Sequence, residues 1–446
     1  MTELLLNVAV VVPALIALRW LSQNRAGTRI ESWGALGICL VTALGVFALS
    51  EPPNLFEDFE QHYYIGGKAA LEAPAALGPL VERGVEDGFT NLPIVAYLFF
   101  PLASLPVNVA TLIFTLVGLA MTFAAWLLLV RLANLEGSSR WWLLFLFAAS
   151  GPLHYSVREG NTSHVVLLAV AAALYFLRSS KPIIAGALLG LAAVIKLPLL
   201  LFGVYFVLRR NWRSAIGFAS ICVASVLLSV LVFGWELNQR WLESVQQYSR
   251  EPLGAFNVQS IPALLVRVVG GPEVLRDFTP HSTGTTQQLV GSFIVGLLYV
   301  AALYACWKHT GAAAVVAPGA TDRKRELEFL LVLSLAVISS PLSWSHYYAL
   351  LLMPMAFFLG SRLPLTRDLR LRRLGWVGIV LTVPVVTVLD LPGRPLTELY
   401  ARVGVSHLLL GGLIWFALLA WARIREDGAP TRSQRHGEPE ALGILD

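Results

Sequence analysis

Thirteen apolar runs dominate this chain, at residues 4–20, 33–50, 107–131, 141–155, 161–178, 182–196, 197–210, 213–234, 286–307, 327–342, 346–360, 374–391 and 403–422. A membrane-crossing helix needs about 20 mostly apolar residues. In hydrocarbon every backbone N–H and C=O must be satisfied inside its own segment, so open runs of this kind are helices. A further apolar piece, 92–103, lies between Pro93 and Pro106, is too short to cross alone, and reads as a half-helix or re-entrant segment. Several runs are short, and Lys196–Pro198 reads as a helix break rather than a loop. The expectation is an all-α polytopic membrane protein with about 11–13 transmembrane helices.

Composition closes off the other classes. Hydrophobic residues make up 56% of the chain and charged residues only 14%, against about 25% charged in soluble domains. Too few polar groups exist to cover several soluble domains, so a soluble enzyme, a disordered chain and a disulfide scaffold are excluded. Cys39, Cys222 and Cys306 each lie in an apolar run and read as small core residues, without metal spacing. The net charge of +5 is no sign of nucleic acid, because no basic patch is interleaved with aromatics. The first run lacks a basic leader and an A-x-A-like cleavage site, and is kept in the mature chain.

Orientation follows from Lys and Arg, which collect in cytoplasmic loops. With the C-terminus cytoplasmic, 23 of the 33 cations fall inside. The inside loops are then short, basic and chemically plain. The outer face carries two long loops, 51–106 and 235–285, and most of the unusual polar residues. Residues 1–425 read as one integral-membrane domain and 426–446 as a disordered cytoplasmic tail. The protein is expected to be a monomer in the cell membrane, with its chemistry on the extracytoplasmic face.

Five outer stretches carry that chemistry. The first loop holds Phe56-Glu57-Asp58-Phe59-Glu60-Gln61-His62-Tyr63-Tyr64, with Lys68 just beyond. A carboxylate among aromatics, near water, suits a general base; the same pattern also describes a solvated acidic loop with interfacial aromatics. The second stretch, Gly151 to His164, supplies His154, Arg158, Glu159 and Asn161 between two apolar runs. Polar groups at that depth face a cavity or a partner, or form a structural turn with Asn161 as a helix cap. Lys196 stands alone between apolar runs, as a phosphate contact or as a lysine snorkelling to the interface. Asn257 and Gln259 precede an amphipathic piece, 257–269, that includes Arg267; it reads as a lid with hydroxyl-binding amides or as an interfacial helix. Ser339-Ser340-Pro341-Leu342-Ser343-Trp344-Ser345-His346 ends the series, and an imidazole there can hold a phosphate or relay a proton. The binding set is thus His62, Tyr63, Lys68, His154, Arg158, Glu159, Asn161, Lys196, Asn257, Gln259, Arg267, Trp344 and His346, with Asp58 as base. Phosphate loops, nucleotide fingerprints, H-E-x-x-H and G-x-S-x-G are absent from the sequence. No metal site and no cofactor are expected.

In order and membrane side, these pieces resemble glycosyltransferase family 87, within the GT-C superfamily. The likeness rests on Asp58 with Tyr63 and Tyr64, Pro93 to Pro106, Gly160-Asn161, Gly190 to Lys196 with Arg209-Arg210-Asn211-Trp212, Asn257 to Ser260, and Ser340-Pro341 to His346. It covers about residues 50–360. It departs from the family pattern at Gly160-Asn161-Thr162, where a Gln is often found, and at Asn91-Leu92-Pro93, where Tyr-Pro-Pro is often found. The resemblance implies a GT-C-type bundle that transfers a sugar from a polyprenyl-phosphate donor to a lipid-linked or cell-wall glycan. Asp58 would act as base, with Lys196 and His346 at the donor phosphate, in one inverting displacement. Mannose is the implied sugar and arabinofuranose the runner-up. A lipid or glycan transporter or flippase is the competing class, since it too needs a polar cavity in the bilayer.

Overall fold

In a computed structural model the chain is all-α, and the structure describes residues 2–49, 55–84, 88–307, 320–364, 368–389 and 391–426. Among the described residues, extended pairing is limited to two isolated bridges, Leu253 to Pro280 and Val258 to Trp344. The assigned tail 426–446 lies outside the described residues except for Glu426, which closes the last helix.

Five described helical segments are long and apolar enough to cross a membrane: Arg29–Ala48, Val107–Leu132, Trp212–Arg250, Thr285–Trp307 and Arg394–Glu426. A sixth arises if Gly151–Arg158 and Ser163–Arg178, bent by 119° at their junction, count as one broken span. Most other apolar runs form shorter or broken helices, including the break expected at Lys196–Pro198. Run 141–155 splits into Ser138–Ala149 and Gly151–Arg158, because Pro152 cannot continue a helix and the Ser150 hydroxyl caps the new one through the Leu153 N–H. Runs 182–196 and 197–210 become Pro182–Ile195, a short 3₁₀ turn and Leu201–Leu208. Run 346–360 begins as 3₁₀ helix. The piece from Pro93 to Ala103 is short, as expected.

The long helices wear their apolar side chains outward. Leu112, Leu116, Leu119 and Phe123, at three- and four-residue spacing, are exposed on Val107–Leu132. Phe293, Leu297 and Val300 do the same on Thr285–Trp307. Lipid is as apolar as leucine, so such stripes have no reason to turn inward. Ala320–Ser339 is the opposite case, buried from Leu327 to Ile338 at the centre of the bundle.

Close approach without large side chains fixes the helix that ends at Lys196. Pro182–Ile195 carries Gly186 and Gly190 four residues apart, against Trp212–Arg250. A Cβ on Gly186 would stand 2.0 Å from the Ser214 carbonyl oxygen, and one on Gly190 2.7 Å from that of Phe218. Small residues at this spacing let two backbones touch, which is how helices pack where solvent gives no drive.

The basic face is not chemically plain. Glu326 pairs with Arg178 at 2.5 Å and Arg362 at 3.2 Å, and Glu328 with Arg423 at 2.7 Å and with Arg209. These four arginines come from four separate segments that the charge pattern assigns to one side. Two buried carboxylates gather them because an unpaired charge at that depth costs more than the pairing. Helix Ser163–Arg178, 16 residues long, separates this cluster from the Asn161 turn by about 24 Å.

Candidate active site

At the other end, the broken segments leave a cavity of about 1200 Å³. Single small-molecule sites occupy about 300–1,000 Å³, so this one has room for two substrates' reacting ends. Asp58, His62, Tyr63, Arg158, Glu159, Asn161, Lys196, Asn257, Trp344 and His346 line it. On one side its wall is Leu197, Leu200, Leu201 and Val204, of which Leu200 and Val204 also face outward. The cavity thus runs from charged groups to an apolar flank at the bundle surface.

Asp58 opens a π-helical turn, Asp58–Tyr64. Such turns are rare and recur at functional sites. The first loop docks on the bent pair by backbone bonds, Phe56 N–H to the Arg158 carbonyl (2.7 Å) and Phe59 N–H to that of Glu159 (3.1 Å). Gly160 permits this approach: its φ is +68°, and a Cβ there would lie 2.4 Å from the Phe59 Cβ. The docked Asp58 accepts a 2.5 Å hydrogen bond from Asn161 Nδ2. Lys196 Nζ donates to Asn161 Oδ1 at 2.8 Å and stands 4.6 Å from the centre of the Tyr347 ring. His62 Nδ1 lies 2.6 Å from the Gly88 carbonyl, which can only accept, so Nδ1 carries the hydrogen. Its Nε2 then faces Asp58 Oδ1 at 3.8 Å. Glu159 sits in the turn outside both helices of the pair. Burial, and then the Asp58 charge, push its carboxyl up to about 8.

His346 is buried and stacked, 6.2 Å from the Tyr155 ring and 6.4 Å from Trp344. Neither of its nitrogens has a hydrogen-bond partner, nor does Asn257 Oδ1, although Asn257 Nδ2 donates to the Tyr155 hydroxyl at 3.0 Å. Buried polar atoms left open on a cavity wall are where a polar ligand satisfies them. The loop around Asn257 is no loose lid. Gln259 N–H donates to Ser343 O (2.6 Å) and Ser345 N–H to Asn257 O (2.7 Å), stitching it to the Pro341–His346 break.

Four expected site residues lie elsewhere. Lys68 is exposed on Ile65–Glu72, outside the cavity lining. His154 Nε2 is paired with the Ala148 carbonyl at 2.8 Å. Gln259 donates to the carbonyls of Phe256 and Val405. Arg267 is fully buried and donates to the carbonyls of Gly254, Ala255 and Val258 and to the Ser406 hydroxyl. The last two are braces of the second outer loop, satisfied inside the protein. Tyr155 and Tyr347 line the cavity and were missed, because Tyr near an interface is ordinary. Asn91, at the departure from the family pattern, donates from Nδ2 to the Ile195 carbonyl at 2.9 Å. It thereby anchors the residue before Lys196.

Residues 89–343 match the model of glycosyltransferase family 87. The chain belongs to that family. Similar proteins include a polyprenol-phosphate-mannose-dependent α-(1-2)-phosphatidylinositol pentamannoside mannosyltransferase of Mycolicibacterium smegmatis, 30% identical over 74% of this chain and 76% of that protein. One of the same name from Mycobacterium tuberculosis is 26% identical over 83% of this chain and 78% of its own. A phosphatidylinositol mannoside mannosyltransferase of Mycobacterium tuberculosis is 26% identical over 80% of this chain and 83% of its own. This family 87 member is a multi-pass membrane glycosyltransferase, and its matched region contains the cavity residues described above except Asp58, His62, Tyr63, Trp344, His346 and Tyr347.

Proposed function

We propose that the protein transfers a mannosyl residue from a polyprenyl-phosphate mannose to a hydroxyl of a glycolipid acceptor, on the extracytoplasmic face. The observation that carries this reading is one cavity holding an anchored carboxylate and a buried ammonium beside an apolar flank open to lipid. A polyprenyl phosphate has both needs: its tail stays in the bilayer along Leu197 to Val204 while its phosphate meets Lys196. Likeness to the mannosyltransferases above supports the sugar and suggests a phosphatidylinositol mannoside as acceptor.

The acceptor oxygen attacks C1 of the sugar, and the C1–O bond to phosphate breaks with inversion. Asp58 takes the acceptor proton. Lys196, with Arg158 at the same wall, balances the charge developing on the leaving phosphate. Direct displacement with a good leaving group requires one carboxylate rather than a nucleophile and acid pair. Asn257 Oδ1 accepts from a sugar hydroxyl, and His346, with one ring nitrogen donating, holds a sugar or phosphate oxygen. This reading assigns no metal to the reaction; full activity after chelation is its expected outcome.

The test is purified protein incubated with a panel of polyprenyl-phosphate sugars and membrane glycolipids, with products read by mass spectrometry. Mannose transfer is expected, and Asp58→Asn should lower turnover by about 10²–10⁴-fold while donor binding survives. Unchanged turnover in Asp58→Asn would remove it as base. A donor that moves across a vesicle without any new glycosidic bond would favour a transporter.

A further inference from the structure

Asp58 and Lys196 are opposite charges in one cavity, yet they do not touch. Asn161 stands between them. Its Nδ2 donates to Asp58 Oδ2, and its Oδ1 accepts from Lys196 Nζ and, at 3.1 Å each, from the Ser163 N–H and hydroxyl. The amide cannot be turned round. The Ser163 backbone N–H only donates, so the oxygen must face it and the NH₂ must face Asp58. Asn161 is buried, and Gly160 clamps its backbone against the first loop. The side chain is thus occupied within the protein rather than open to a ligand.

We propose that Asn161 is a positioning residue that insulates the base from the cation. It holds Asp58 and Lys196 at a fixed separation through a neutral spacer. The proposal rests on the transfer reading above. A direct pair would spend both charges on each other: the carboxylate would be a weaker base, and the ammonium would be withheld from the donor phosphate. With the amide between them, Asp58 Oδ1 remains open to the acceptor hydroxyl. Lys196 is long and flexible enough to reach Asp58 once the spacer is gone. Asp58 is also faced by His62 from its own turn, by Tyr63, by Tyr155 and Glu159 from the bent pair, and by Tyr347.

The test compares wild type with Asn161→Ala, Lys196→Gln and the double variant in the full-length purified protein, using polyprenyl-phosphate mannose. Asn161→Ser serves alongside Asn161→Ala, so that a folding failure in one leaves the other to decide. Asn161→Ala should lower kcat at saturating donor about 100-fold, the low end of what a placed base contributes. Its acid limb in the kcat–pH profile should move down by about one unit or more, since an adjacent ammonium favours the carboxylate. Removing the cation then frees the base, so the double variant should regain about tenfold in kcat over Asn161→Ala. Losses that simply multiply, or an unmoved acid limb, would overturn the proposal. Should wild type make no mannosyl product, the donor assignment fails separately. The spacer is then judged by the pH dependence of Lys196 acylation by an amine reagent. Pairing with Asp58 in Asn161→Ala must shift that reaction to higher pH, and an unshifted profile overturns the proposal.

Discussion

At the scale of single residues, two carboxyls stand side by side at the site, Asp58 and Glu159. Burial, and then the Asp58 charge, hold the Glu159 carboxyl up to about 8, so the fold favours its neutral acid form. The same shift makes a stability prediction. Relative to an ordinary carboxyl near 4.5, the folded state favours the acid form. Its stabilising share is whole below 4.5 and is lost as pH rises through about 8. Melting midpoints in detergent between pH 5 and 9 should therefore fall less steeply for Glu159→Gln than for wild type. Identical slopes would mean that this carboxyl is not held neutral by the fold. Residue identity was legible here because polar groups between apolar runs are few: Asp58, Asn161, Lys196 and His346 stand out. Partnership was not legible. Arg267 and Gln259 looked like ligand contacts and are braces instead, because only the folded backbone shows which carbonyls they meet.

At the scale of elements, breaks rather than spans build the cavity. Glu159–Thr162, Lys196–Pro198 and Pro341–Ser345 interrupt helices at its walls. A freed backbone is tolerated at depth only where it lines a cavity or is buried in protein. Pro198 and Pro341 announced two of these breaks, and run 213–234 ended at Gly234, where φ is +77° within Trp212–Arg250. Position along the membrane normal is then set by packing. Gly186→Leu must push Pro182–Ile195 off Trp212–Arg250 and move Lys196 with it. Overpacking of this kind costs about 1–3 kcal/mol, so the variant should melt lower and lose donor affinity. Gly296→Ala, where nothing lies within 4 Å, is the control and should melt like wild type. A normal melting curve for Gly186→Leu would show that the contact is not tight in the bilayer.

At the scale of the whole molecule, the two ends divide the work. One end clamps four arginines on two glutamates, and the other holds the cavity. Their separation fits the charge pattern, which assigns the arginine end to the cytoplasm. In a background without Cys39, Cys222 and Cys306, an impermeant maleimide added to intact cells should label Lys68→Cys and spare Arg372→Cys. Both positions are exposed, so the reverse pattern would invert the orientation.

The sequence by itself determined the solvent: with so few charges and so many apolar runs, only a helical membrane protein satisfies its backbone. It also named most of the rare polar residues at the site, since in a lipid environment each costs too much to be incidental. The tertiary structure alone decided how many runs cross unbroken, and which polar groups face the cavity rather than one another. Those outcomes depend on contacts between residues a hundred positions apart, such as Asn161 with Asp58. Spacing along the chain carries no information about that distance, because it is set by helix packing and by the turn at Gly160.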